Sequence, residues 1–238
     1  MVQKWVHIDF IGGDPWVLPI WAAFNEGVSK GKFPPKTREM SELALHLSTR
    51  LDMIPWLVRR LNSGWKKVID KVKNIDPKYI STENMQGYAY PLGDNITYNV
   101  LLDIDSFLFE IDSCCELITA FIRLIYDRIG IRLSQEKIGE KLRDVIKNEG
   151  KDVAWFGILQ RDRNIFIHEA APYIAIDLSE ANKDSYVLII MKENLKEFTD
   201  DNRFIRFISD FNRISRGFTE SKKVLQTHVV DFLGRAYE

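Results

Sequence analysis

The sequence predicts a mainly α protein: a helical bundle of about five to seven helices, a small β-hairpin at about 173–191 and an irregular N-terminal segment. Three observations predict it. Apolar residues recur at three and four over most of the chain, as on one face of a helix. Two β-branched and aromatic runs, 173–178 and 186–191, flank the polar Asn182-Lys183-Asp184. Residues 1–36 are rich in Trp, Gly and Pro, with no helical period.

Within that N-terminal segment, Trp5 to Phe10 suits a short strand and Gly12-Gly13-Asp14-Pro15 a turn. From Thr37, Met40, Leu43, Leu47, Leu51 and Ile54 mark a helix. Pro55 is expected to kink or end it, with a second helical piece from about Trp56 to Val72. His46 reads as a helix-boundary residue. Residues 74–99 carry Asp76-Pro77, Gly87 and Pro91-Leu92-Gly93-Asp94, which suits a long connection with short strands. The strongest helix covers 103–129, striped by Ile104, Phe107, Leu108, Ile111, Cys115, Ile118, Ile122 and Ile125, with Gly130 as its C-terminal cap. Asp105, Asp112, Glu116 and Arg123 fall on its opposite side, and Glu110 at the edge of the apolar arc, where a carboxylate needs a partner. Ser134 caps a helix to about Ile146, and Asn148-Glu149-Gly150-Lys151 turns the chain. A further helix starts near Val153 and is limited by Pro172. The tail, from about Asn202 to Tyr237, is helical, with a break expected near Gly217.

At 238 residues the chain can bury a sizeable core, and 45% hydrophobic with 28% charged residues is an ordinary globular balance. The net charge of −1 means that any anion binding must come from a local patch. Cys114 and Cys115 are adjacent, so free thiols and a reducing compartment are expected; small apolar helix residues is their ordinary role. No leader and no membrane-length apolar run is apparent, which points to a cytoplasmic protein without a membrane partner. The four histidines lie far apart and no cysteine pair has ligand spacing, so neither a zinc site nor another cofactor is expected.

The chemistry concentrates in Gln160-Arg161-Asp162-Arg163-Asn164-Ile165-Phe166-Ile167-His168-Glu169. Arginine offers a permanent cation with a fixed donor fork suited to phosphate, and histidine exchanges a proton near neutral pH. Asn164 and His168 are four apart and share a helical face, and Arg161, seven before His168, shares it too. Arg163 stands roughly 140° round from His168 on an ideal helix, so Arg161 is its rival for the same role.

Arg163-Asn164, three apolar residues and His168 resemble the signature of the HEPN family: an arginine, a polar residue, a short spacer and a histidine. The resemblance implies a single HEPN-like helical domain over 37–238, with 1–36 an extension packed on it. It implies a homodimer that brings two motifs together, and a metal-independent endoribonuclease, of the kind found in toxin–antitoxin or defence systems. It would make Arg163 and His168 the catalytic pair and Asn164 the polar residue beside them. The RNA 2′-hydroxyl would attack phosphorus, Arg163 would stabilise charge on the phosphate oxygens and His168 would move a proton or orient the scissile group. Glu110 is the acid best placed by face to orient the cation. In the tail, Phe204, Phe207, Ile208, Phe211 and Ile214 line one face, and Arg203, Arg206, Arg213 and Arg216 the other, extended by Lys222 and Lys223. Such a stripe suits an RNA backbone, although a solvated helix face is its commoner meaning.

A second reading makes the chain a non-catalytic helical interaction or regulatory module with a protein partner. In it the arginine–histidine helix is structural, paired to Asp162, Glu169 or Glu110, and Trp16, Trp21, Trp56 and Trp65 contribute to core or partner surface.

Overall fold

The computed structural model of the chain describes residue 6 and residues 12–81, 87–93, 95–168, 173–178, 187–191 and 204–237. Among the described residues, six α-helices and a three-stranded antiparallel sheet make up the fold: α1 (Val17–Ser29), α2 (Arg38–Val72), α3 (Ile96–Arg128), α4 (Gln135–Asn148), α5 (Trp155–His168), β1 (Tyr173–Asp177), β2 (Val187–Met191), β3 (Phe204–Arg206) and α6 (Phe207–Tyr237). The chain is therefore mainly helical, as its periodicity predicts.

Helix α3 is the axis of the bundle. Its apolar stripe is buried, with Ile104, Ile111, Phe121, Ile122 and Ile125 fully enclosed. It packs against α2, α4 and α5. The left-handed Gly130 ends it as expected: the Gly130 N–H donates to the Asp127 carbonyl, and the Ile131 N–H to that of Tyr126. Ser134 then caps α4, its hydroxyl accepting the Lys137 N–H at 3.3 Å.

Several elements differ from the sequence expectation, each for a local reason. Pro55 does not interrupt α2, which is one 35-residue helix. Its ring faces solvent between the buried Ile54 and Leu57, and packing on α3 holds both halves in line. Thus His46 sits inside a helix, exposed, rather than at a boundary. Within 1–36, Val17–Ser29 forms α1, which buries Ile20 and Phe24 against the common core. Polar contacts clamp its start. Trp16 Nε1 donates to the Lys222 carbonyl at 2.7 Å, Lys222 pairs with Asp14 at 2.6 Å, and the Ser48 hydroxyl donates to the Asp14 carbonyl at 2.6 Å. The strand expected at Trp5–Phe10 lies outside the described residues. In 74–99 the described part holds a single 3-10 turn, Pro77–Tyr79, and no strand, and α3 begins earlier than expected, at Ile96.

The hairpin is present, pairing Ile174 with Ile190 and Ile176 with Leu188. A third strand joins it where a helix was expected: β3 pairs Ile205 with Ile190. Central strand β2 buries Leu188, Ile189 and Ile190. The turn residues 182–184 and Pro172 lie outside the described residues. Among the described residues no helix is long and apolar enough to cross a membrane.

Helix α6 runs unbroken through Gly217, because the glycine serves packing rather than termination. A Cβ at 217 would enter the indole ring of Trp155, which is fully buried on α5 and donates to the Ser221 hydroxyl at 3.2 Å. We therefore expect Gly217→Ala to destabilise the fold by about 2 kcal/mol, overpacking outweighing the better helix propensity of alanine. Urea unfolding checks this, and a midpoint equal to or above wild type would refute the close-contact role of Gly217.

Candidate functional site

The spacing of Trp155, Leu159, Asp162 and Ile165 turns one side of α5 into the core, and all four are buried. The opposite side presents Gln160, Asn164, Ile167 and His168 to solvent. Asn164 and His168 thus stand one turn apart on an open helix face, as their spacing predicts. Arg161 and Arg163 occupy the two flanks between these faces, each half-buried.

The two arginines are used differently. Arg161 holds two carboxylates. Its Nε donates to Asp162 Oδ1 at 2.8 Å and its Nη2 to Asp210 Oδ2 at 2.7 Å, which latches α5 to the first turn of α6. Asp210 Oδ2 also accepts the backbone N–H of Arg206 at 3.0 Å, so the same carboxylate fixes the junction of β3 and α6. Arg163 makes one ion pair, Nη1 to Asp112 Oδ2 of α3 at 3.2 Å, and its Nε is buried with no partner. A guanidinium has five donors, so Arg163, which meets one carboxylate, retains more capacity for an anion than Arg161, which meets two.

The structure corrects several expectations. Glu110 does not reach the arginine–histidine helix. It is buried towards α2, where Arg50 holds it at 2.9 Å. Positions 110 and 112 lie roughly 200° apart on α3, so only Asp112 faces α5. Burial raises the Glu110 pKa, with Arg50 and His46 opposing the shift. Arg163 and His168 are joined by no hydrogen bond or ion pair among the described residues, and α5 has no break within 155–168 that would swing them together. The tail arginines do not form one basic stripe. Arg213 pairs with Asp152 at 2.7 Å and Arg216 with Glu220 at 2.8 Å, while Arg206 lies on β3. Arg203 and Glu169 lie outside the described residues. Of the apolar face expected beside them, Phe207, Phe211 and Ile214 are buried but Ile208 is exposed. Trp16 is core, Trp21 and Trp65 are half-buried, and only Trp56 is largely exposed.

The residues that sequence reasoning missed are the acids. Asp112 carried a signal, since it shares the polar side of α3 with Glu116 and Arg123. Asp210 carried none, because its partner lies 49 positions away. Both cysteines are free, and burial lifts the Cys114 thiol to about 12. Comparison with family models, curated proteins and solved structures found no match.

Asp162 is fully enclosed and its Oδ2 has no hydrogen-bond partner. Burial pushes its pKa up to about 7, and the attraction of Arg161 only partly offsets this. Between about pH 4 and 7 the folded chain therefore holds a proton on Asp162 that the unfolded chain, near pKa 3.9, has released. Folding binds protons at this site, so its contribution to stability falls as pH rises from about 4 to 7 and is level above. Asp162→Asn removes the titration. We expect its melting temperature to gain on wild type between pH 5 and pH 8; a pH-independent difference would show that Asp162 is already ionised at pH 5.

Proposed function

We propose that the protein is a HEPN-like, metal-independent endoribonuclease that works as a homodimer. The observation that carries the proposal is the open face of α5. Asn164 and His168 stand together in solvent there, flanked by an arginine with donors to spare. The resemblance of Arg163-Asn164-x-x-x-His168 to the family signature supports it. Within one chain Arg163 and His168 diverge by roughly 140°, so in this proposal the reacting phosphate lies between copies, with Arg163 of one chain and His168 of the other on either side.

The residue types then divide the work. The RNA 2′-hydroxyl gives up its proton to water and attacks the adjacent phosphorus, forming the O2′–P bond of a cyclic phosphate and breaking the P–O5′ bond. Arg163 meets the charge that grows on the non-bridging oxygens. His168, the exposed imidazole, supplies a proton to the departing 5′-oxygen or orients it. Asn164 holds the imidazole or a phosphate oxygen. Cytoplasmic residence and a role in a toxin–antitoxin or defence system belong to this same proposal.

A second reading has its own support. Arg163 of the motif and its neighbour Arg161 are both tied to aspartates, which suits a non-catalytic interaction module in which the motif is structural. Loss of His168 cannot separate the two readings by stability, since an exposed imidazole contributes little to either fold. Activity separates them. In the presence of chelator, wild-type dimer should cleave a varied RNA panel, and His168→Ala should reduce the rate by about 10²-fold or more with its melting temperature unchanged. Arg163→Ala alone strands the Asp112 carboxylate, so the cleaner variant is Arg163→Ala with Asp112→Asn, which should lose about 10²-fold as well. Intact RNA after incubation with folded, dimeric wild type would leave the interaction module as the standing reading.

A further inference from the structure

We infer that the C-terminal part of α2 and the residue after it, 56–73, form a binding surface for a single-stranded nucleic acid. This surface goes beyond the α5 site and does not rest on it. Asp103 meets α2 and Asp112 meets α5, and at nine positions apart they lie half a turn round α3 from one another. The two helices therefore flank α3 on different sides.

Residues 56–73 hold six lysines and arginines against one acid, in a chain whose net charge is −1. The charge is patterned. Arg59-Arg60 and Lys66-Lys67 are dibasic pairs seven apart, two helical turns or about 10 Å along the axis. Trp56, Ser63 and Asp70 are also seven apart and run between the two rows. Arg59, Lys66 and Lys73 flank this line on one side, and Arg60, Lys67 and Lys71 on the other. All nine side chains are exposed, while Leu61 and Val68 turn the opposite side of the helix into the core.

The acids around this arc leave most of its charge unpaired. Buried Asp103 of α3 takes Arg60 at 2.5 Å, and Asp70 takes Lys73 at 3.1 Å. Asp76, just beyond the helix, is held by Lys78 at 3.3 Å. Asp105 lies roughly 200° round α3 from Asp103 and so faces away. Asp52, half-buried one turn before Trp56, stands at the near end. Arg59, Lys66, Lys67 and Lys71 hold no carboxylate among the described residues, and all four are open to solvent. Four exposed cations set against one half-buried acid are complementary to a polyanion.

Rings at both ends select the class of polyanion. Trp56 is largely exposed, and the Arg59 guanidinium lies over its ring, 5.0 Å from the centroid. At the other end the Tyr90 hydroxyl donates to the Lys71 carbonyl at 3.2 Å, which holds 87–90, with the exposed Tyr88, against the end of the helix. Exposed rings beside a row of cations suit bases that are free to stack on them; the bases of a duplex are stacked on one another already. Between the ends, a cleft of about 270 Å³ lined by Arg60, Ser63, Lys67 and Asn99 gives the backbone a groove to follow. A lipid surface would need apolar side chains to enter it, and Trp56 is the one large apolar side chain that 56–73 exposes.

The probe is a fluorescent, 2′-O-methylated single strand of about 12 nucleotides, which lacks an attacking hydroxyl. Anisotropy across a salt series should show the full chain binding it. Lys66→Gln with Lys67→Gln should weaken binding about tenfold and lower the salt slope by about 1.4. Trp56→Ala should weaken it about fivefold with the slope kept. The replaced side chains are exposed, so these variants should melt as wild type does. Arg213→Gln with Arg216→Gln, which removes two cations already paired, should bind as wild type does. No binding by wild type, unchanged affinity and slope in the lysine variant, or an equal loss in the tail-arginine variant would overturn the surface. Equal or tighter binding of a duplex would overturn the single-strand assignment. Capture by phosphatidylserine vesicles without binding of the oligonucleotide would give the arc to a membrane and overturn the nucleic-acid reading. Binding kept by His168→Ala and lost by the lysine variant would uphold α2 as a surface separate from α5, whether or not unmodified RNA is cleaved.

Discussion

Carboxylates on a central helix are the constraint on which this bundle depends. Helix α3 is enclosed by α2, α4 and α5, yet it carries Asp103, Glu110 and Asp112 at buried positions. Each would be costly alone, and each has taken one arginine from a neighbouring helix: Arg60 at 2.5 Å, Arg50 at 2.9 Å and Arg163 at 3.2 Å. Hydrophobic packing is non-directional and tolerates sliding, whereas these pairs do not. The first two fix α2 against α3, and the third fixes the rotation of α5. Which side of α5 meets solvent is thus decided by an ion pair as much as by the apolar stripe.

The same logic explains how Arg161 and Arg163 part ways. Arg161 bridges Asp162 and Asp210, so its role is to bind α5 to α6 at the place where β3 becomes helix. Arg163 is held at one nitrogen only. A guanidinium steadied by a single carboxylate loses some of its field but gains a fixed position, and a fixed donor is what charge stabilisation requires. Asp112 thus orients Arg163 from α3.

The helices were legible because most of them pair a wide apolar stripe with a clear end signal. Ser134, Gly130 and Gly150 act through their own backbone, and a local rule suffices to read them. The misreadings share one origin. Pro55 and Gly217 look like breaks in isolation, but α3 straightens one and Trp155 occupies the space beside the other. Phe204 to Arg206 continue a helical period into what becomes a strand, because Ile190 offers a vacant edge for Ile205. In the site, the shared face of Asn164 and His168 followed from spacing. The partner of Arg163 did not, since an edge-of-stripe acid at 110 and a polar-side acid at 112 are distinguished only by which helix packs on which side.

The tail arginines show why sequence charge is a poor guide to an anion surface. Arg213 and Arg216 make a basic row on paper, yet Asp152 and Glu220 neutralise them, one across a loop and one along the helix. Exposed pairs such as Arg216–Glu220 contribute little to stability, so their effect here is chiefly to silence a field.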